Sequence, residues 1–172
     1  MRGLPQFSDE YWTKYKDKKV HLKPFDPQTR VKAYEYIEIL KSLLNQYSPE
    51  ILLRGSTYYG IDGKGEIEVG VYPTDENWKK VLKKIRGRVG GPRICENNFV
   101  QFPDVISEIE VEIIVIKGYE AIVDKKLTEY IKNDKKLLLE YQKLKYENCY
   151  SKLAYLKEKD KFFRKVIEMI PE

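Results

Sequence analysis

Apolar positions recur along this chain with two periods: strands and helices share the part up to Gly118, and helical spacing continues from there to the end. Val20 to Lys23 predicts a short strand, stopped by Pro24 and Pro27. From Thr29 to Gln46, Val31, Ala33, Tyr34, Ile37, Leu40, Leu43 and Leu44 fall largely on one helical face. Ile51 to Arg54 and Glu66 to Tyr72 read as strands, and Pro73-Thr74-Asp75 introduces a helix through about Ile85. Gly87 to Asn98 reads as a loop. Phe99 to Phe102 and Ser107 to Lys117 predict two further strands, ended by Pro103 and Gly118. Tyr119 to Lys132, Asp134 to Tyr146 and Tyr150 to Met169 are then helical, with Asn133-Asp134 as break and N-cap. Stripes at Leu137, Leu138, Tyr141, Leu144 and at Leu153, Leu156, Phe163, Ile167 predict that the last two helices pack together. The fold class is α+β: a mixed sheet flanked by helices, with a helical C-terminal portion on the same domain.

Composition narrows this picture. A length of 172 residues suffices for one domain with a real core, taken as residues 20–172 behind an extension over 1–19. That extension carries Tyr11, Trp12 and Tyr15 at near-helical spacing, for a short helix packed on the domain or a partner-binding arm. With 34% charged residues, and no apolar run longer than Ile113 to Ile116, the chain reads as soluble with no membrane partner. No apolar stretch near the N-terminus makes a secretory signal, and Cys95 and Cys149 lack metal-type spacing; free thiols in a reducing cytoplasm follow. The net charge of +5 is not that of a nucleic-acid coat. Lys79, Lys80, Lys83, Lys84, Arg86, Arg88 and Arg93 form a basic stretch suited to RNA or a nucleotide tail, although a solvated helix face is the simpler reading. The lysine, glutamate and isoleucine content has a thermophile character.

The chemistry concentrates in Gly55-Ser56-Thr57-Tyr58-Tyr59-Gly60 and the following Lys64-Gly65-Glu66-Ile67-Glu68-Val69. Strand alternation sends both glutamates from one face, where they repel unless a cation lies between them. A divalent metal suits carboxylate oxygens, and the Gly-Ser turn offers N–H groups and a hydroxyl to phosphate. The parts suggest a metal–nucleotide site, with Arg54 and Lys64 as further phosphate candidates. Two ordinary glutamates on an exposed strand edge are the alternative.

A Gly-Ser pair before a strand bearing two carboxylates, separated by one apolar residue, resembles the signature of the nucleotidyltransferase fold. The whole chain is similar to the GrpB-like family within that group. Val20-His21-Leu22-Lys23-Pro24-Phe25-Asp26-Pro27 matches its opening strand and turn, and Gly55-Ser56-Thr57 its loop. Glu129-Tyr130-Ile131-Lys132, Tyr141-Gln142-Lys143-Leu144-Lys145 and the Tyr155, Lys159, Phe162 set match its C-terminal motifs. The resemblance implies metal-dependent transfer of a nucleoside monophosphate from a nucleoside triphosphate to an acceptor hydroxyl. It implies Glu66, Glu68 and Glu112 as catalytic carboxylates holding Mg²⁺ or Mn²⁺, the last preferred over Glu108 and Glu110 on the same strand. Gly55, Ser56, Thr57 and Lys64 would meet phosphate, Tyr141 and Lys145 would close one side of the cleft, and Tyr155, Lys159 and Phe162 would be structural. The chain departs from the family in several places. The family's strand Asp is Glu68 here while Glu66 falls where the family is more often apolar, the loop is one residue shorter and reads Tyr58-Tyr59-Gly60-Ile61, and no His-x-His pair exists because His21 is the only histidine. These departures leave open a nucleotide-binding or protein-interaction module without turnover.

Overall fold

The computed structural model describes residues 9–15 and 18–171. Among them the elements are α1 (Asp9–Thr13), α2 (Pro27–Leu43), β1 (Glu50–Arg54), α3 (Gly55–Tyr59), β2 (Ile67–Tyr72) and α4 (Trp78–Val89). They continue with β3 (Ile94–Cys95), β4 (Phe99–Ile106), β5 (Ile109–Ile116), α5 (Gly118–Asn133), α6 (Lys135–Asn148) and α7 (Lys152–Met169). One mixed sheet has the order β1-β2-β5-β4-β3. β2 and β5 run parallel, and the other neighbours are antiparallel. Among the described residues no helix is long and apolar enough to cross a membrane.

Alternation along the strands gives the sheet two differently covered faces. Ile51, Leu53, Ile67, Val69, Val71, Phe102, Val111, Ile113 and Val115 pack on one side with α2 and α4. Each such side chain, fully buried, contributes about 1.5–3 kcal/mol. On the other side α5 covers Tyr72, Ile114 and Ile116, and α5, α6 and α7 build a second core around Tyr141, Phe162 and Val166. The run Ile113 to Ile116 is therefore buried on both faces. Asp26 caps α2 by accepting from the Gln28 N–H, and Asp134 caps α6 by accepting from Lys136 and Leu137.

Several expectations change. Val20 to Lys23 forms no strand; Lys23 makes an isolated bridge to Gly63, and Val20 is held by the Cys149 carbonyl. On α2 the buried face is Ala33, Tyr36, Ile37 and Leu40, while Val31 and Tyr34 are exposed. Helix α4 runs on through Gly87 to Val89, and the predicted loop contains β3. Pro103 does not end β4, which continues to Ile106. Its nitrogen lies on the side where Gln101 accepts from Arg93, beyond the end of β3, so no ladder bond is lost. Ser107 and Glu108 form the two-residue turn between β4 and β5, with φ 48° and 66°. Glu108 thus stands outside the strand. The expected N-terminal arm lies partly outside the described residues; α1, its described helix, packs against α7.

Candidate functional site

Register assembles the site. Arg54 of β1 pairs with Glu68 of β2, Glu68 with Glu112 of β5, and Glu112 with Pro103 of β4. Paired residues share a face, so these four side chains form one row across the sheet, on the side facing the C-terminal helices. Glu66 precedes β2 by one residue. The Gly-Ser pair is not a free turn but the first residues of α3, and it sits directly on this row. A Cβ on Gly55 would lie 2.5 Å from Glu68 Oε1, at a φ of +70°. Only glycine allows the backbone so close to the carboxylate.

Thr57 is fastened rather than free: its hydroxyl donates to the Glu66 carbonyl at 2.8 Å, tying α3 to the start of β2. Ser56 Oγ accepts from Lys145 Nζ at 2.6 Å. That ammonium also donates to the Asp62 carbonyl and lies 5.1 Å from the Tyr141 ring centre. Lys145 is 0% exposed, and burial, with the positive charge of Lys159, pushes its amine down to about 7 against the opposing pull of Glu68. It positions Ser56. Tyr141 is buried and stacked on Phe162 at 5.1 Å, so it belongs to the helical core and not to a cleft wall.

The carboxylates are met by cations. Lys64 Nζ lies 2.6 Å from Glu66 Oε1. Burial, which disfavours the Lys64 ammonium, is outweighed by Glu66 and Glu112, so its pKa rises. Burial pushes the Glu66 carboxyl up to about 7, reinforced by Glu112 and Glu68 and opposed by Lys64. For Glu68, burial is outweighed by Lys159 and then Arg54, and the carboxyl is held below its ordinary range. Lys159 of α7 rises through Glu68, Tyr155, Glu66 and Glu112, against its burial. Its charge thus acts on the carboxylate group, a role the sequence reading assigned to no residue. Arg54 Nη1 sits 2.8 Å from Asp124 Oδ1 and its Nε 3.9 Å from Glu68 Oε2. Asp124 in turn accepts from Tyr72 at 2.6 Å, giving a buried Tyr72–Asp124–Arg54–Glu68 chain that fixes the row. Arg54 is held in this chain by charge, while its buried Nε and Nη1 have no hydrogen-bond partner among the described residues.

The donor chemistry of Glu66, Glu68 and Glu112 suits Mg²⁺ or Mn²⁺, but their arrangement does not. Among the described residues no group of three or more His, Cys, Asp or Glu side chains closes into a metal-holding cluster. Lys64 is in contact with Glu66, and Arg54 lies between Glu68 and Asp124, so cations of the chain itself flank the row. A divalent ion at Glu66 would have to displace Lys64 from its 2.6 Å contact, and the neighbouring cations would weaken the attraction that offsets its dehydration.

No family model matches the chain, and no curated protein matches it. Among solved structures it is similar to a cytoplasmic RNA terminal U-transferase, with 15% identity over 80% of this chain and 42% of that one, at a TM-score of 0.49. It is also similar to Cid1 in complex with its short product ApU, with 12% identity over 77% of this chain and 41% of that one, at a TM-score of 0.48. A third is the Elizabethkingia meningoseptica CdnE cyclic dinucleotide synthase with GTP and Apcpp, with 10% identity over 83% of this chain and 69% of that one, at a TM-score of 0.44. The chain spans about two fifths of the length of the first two.

Proposed function

We propose that this chain is a divergent GrpB-like protein that acts as a nucleoside-triphosphate-using transferase, moving a nucleoside monophosphate to an acceptor hydroxyl. The carrying observation is the contact between the Gly55–Ser56 segment and Glu68, with Glu112 in register beside it and Glu66 one turn of the pleat away. In this reading Ser56, held by Lys145, and the ammonium groups of Lys64 and Lys159 receive the phosphates. The acceptor lies over the Glu112–Pro103 part of the row, where β4 is half-exposed. Its hydroxyl oxygen bonds to the α-phosphorus as the bond to the diphosphate breaks. Glu66, with a carboxyl pKa near neutrality, takes the hydroxyl proton. No step in this account passes through a divalent cation.

A binding module without turnover is the second reading, favoured by the charge balance among Lys64, Lys159 and the glutamates. Calorimetric titration of ATP, CTP, GTP and UTP, with and without Mg²⁺ or Mn²⁺, tests the site itself. Binding by the wild type and its loss in Lys64→Met/Lys159→Met supports it, and a folded wild type that binds none of the four refutes it. Diphosphate release on adding hydroxyl acceptors then separates transferase from binding module.

A further inference from the structure

The misfit between the three carboxylates and a divalent ion has a direct structural cause. Lys64 Nζ lies 2.6 Å from Glu66 Oε1, within the field of Glu112, and the charge of Lys159 on α7 acts on Glu68 and Glu66. Arg54 reaches Glu68 from the opposite flank. The row is therefore supplied with cations by three separate elements: the loop before β2, helix α7 and strand β1. Such convergence is not required for packing, since α7 has Tyr155, Phe162 and Val166 to bury beside Lys159.

We propose that Lys64 and Lys159 are this site's own cations: they stand in for a divalent ion, so that the nucleotide-free protein takes up no Mg²⁺ or Mn²⁺ at Glu66, Glu68 and Glu112, and a triphosphate is received by ammonium groups. The triphosphate half rests on the transferase reading above; the metal half does not. An ammonium differs from a divalent ion in carrying one charge and three donors on a flexible stem. It can hold carboxylate oxygens in the resting protein and turn toward phosphate oxygens when they arrive.

The experiment is a titration of MnCl₂ into nucleotide-free protein, followed by the electron paramagnetic resonance of free Mn²⁺, beside calorimetric titration of ATP in EDTA and in Mn²⁺. The proteins are wild type, Lys64→Met/Lys159→Met and Glu66→Gln/Glu68→Gln, with circular dichroism confirming the fold. The expected wild type binds no Mn²⁺ at millimolar metal and binds ATP equally in EDTA and in Mn²⁺. The lysine double variant is expected to lose at least about tenfold in ATP affinity, equivalent to about 1.4 kcal/mol, and to gain a Mn²⁺ site. Where that double variant does not fold, Lys64→Met alone, at the ammonium in contact with Glu66, serves for the same titrations.

Wild-type Mn²⁺ binding that disappears in Glu66→Gln/Glu68→Gln overturns the proposal, as does ATP binding abolished by EDTA. A folded lysine variant that gains no Mn²⁺ site overturns it too. Should no ATP bind under either condition, the transferase reading fails and the triphosphate half with it. The Mn²⁺ arm needs no nucleotide and still decides whether the lysines replace the metal.

Discussion

The contact between Gly55 and Glu68 makes Gly55→Ala a sharp test of how the site is built. Two effects add. Gly55 has a φ of +70°, where an L side chain costs roughly 1–2 kcal/mol. The new Cβ would also stand 2.5 Å from Glu68 Oε1 and 2.7 Å from its Cδ, so the carboxylate must retreat. Glu68 is 12% exposed and flanked by Arg54 and Lys159, and leaving its rotamer costs on the order of 0.5–1.5 kcal/mol more. The sum, roughly 1.5–3.5 kcal/mol, lowers the melting temperature of a chain this size by about 3–14 °C. Guanidinium titration gives the free energy, and a double-mutant cycle separates the parts. In a Glu68→Ala background the obstacle is gone and only the backbone penalty remains, so the two changes should couple by roughly 0.5–1.5 kcal/mol. Equal losses in both backgrounds would refute the close approach, and a loss under about 1 kcal/mol in the wild type would refute the backbone argument. Gly87→Ala is the control: within α4, with nothing within 4 Å of an added Cβ, it should stabilise by about 0.5–1 kcal/mol.

Other outcomes follow from the same geometry. Asp124→Ala leaves the Arg54 guanidinium buried without its 2.8 Å partner and should cost about 3–5 kcal/mol by chemical denaturation; a loss below about 1 kcal/mol would show that the chain through Tyr72 holds nothing. Ser107→Asn with Glu108→Gly gives the β4–β5 turn residues suited to its two positive φ values, and should raise stability by about 1–2 kcal/mol in a thermal melt. Lys145 has a folded pKa of about 7 against an ordinary 10.5, so above 7 the unfolded chain holds a proton that the folded chain lacks. Stability should therefore rise with pH from about 7 to 9.5, at up to about 1.4 kcal/mol per unit, and Lys145→Met should flatten that rise. Glu66 has the opposite sign. Its folded pKa near 7 keeps a proton that the unfolded chain releases above its ordinary 4.5, so stability should fall with pH across that window, and Glu66→Gln should remove the fall.

Period and punctuation made most of the sheet and the three C-terminal helices legible, because apolar spacing and caps such as Asp134 are local signals. The first segment departs from its strand-like pattern for a tertiary reason. Val20 to Lys23 has strand-like composition, yet its partners are the Cys149 carbonyl and the Gly63 loop, and neither offers a sheet edge. Pro103 was read as a terminus because sequence does not reveal that β3 is too short to need its N–H.

The site divides along the same line. Gly55, Ser56, Glu66 and Glu68 lie close in sequence and stand out together, whereas Lys159 reads there as structural. Its helix offers two candidate stripes: Leu153, Leu156, Phe163 and Ile167, or Tyr155, Lys159, Phe162 and Val166. Hydrophobicity prefers the first, since the second contains a lysine. The folded chain buries Tyr155, Phe162 and Val166 and leaves Lys159 half-buried on that stripe, where its charge acts on the carboxylate row. A lysine on a buried helical stripe is costly unless negative charge awaits it. Glu66, Glu68 and Glu112 supply that charge from strands more than forty residues upstream. The acidic strands and the misplaced-looking lysine are therefore two halves of one signal. The glutamates alone suggest a metal; read with Lys64 and Lys159, the same glutamates describe a site whose positive charge is built into the chain.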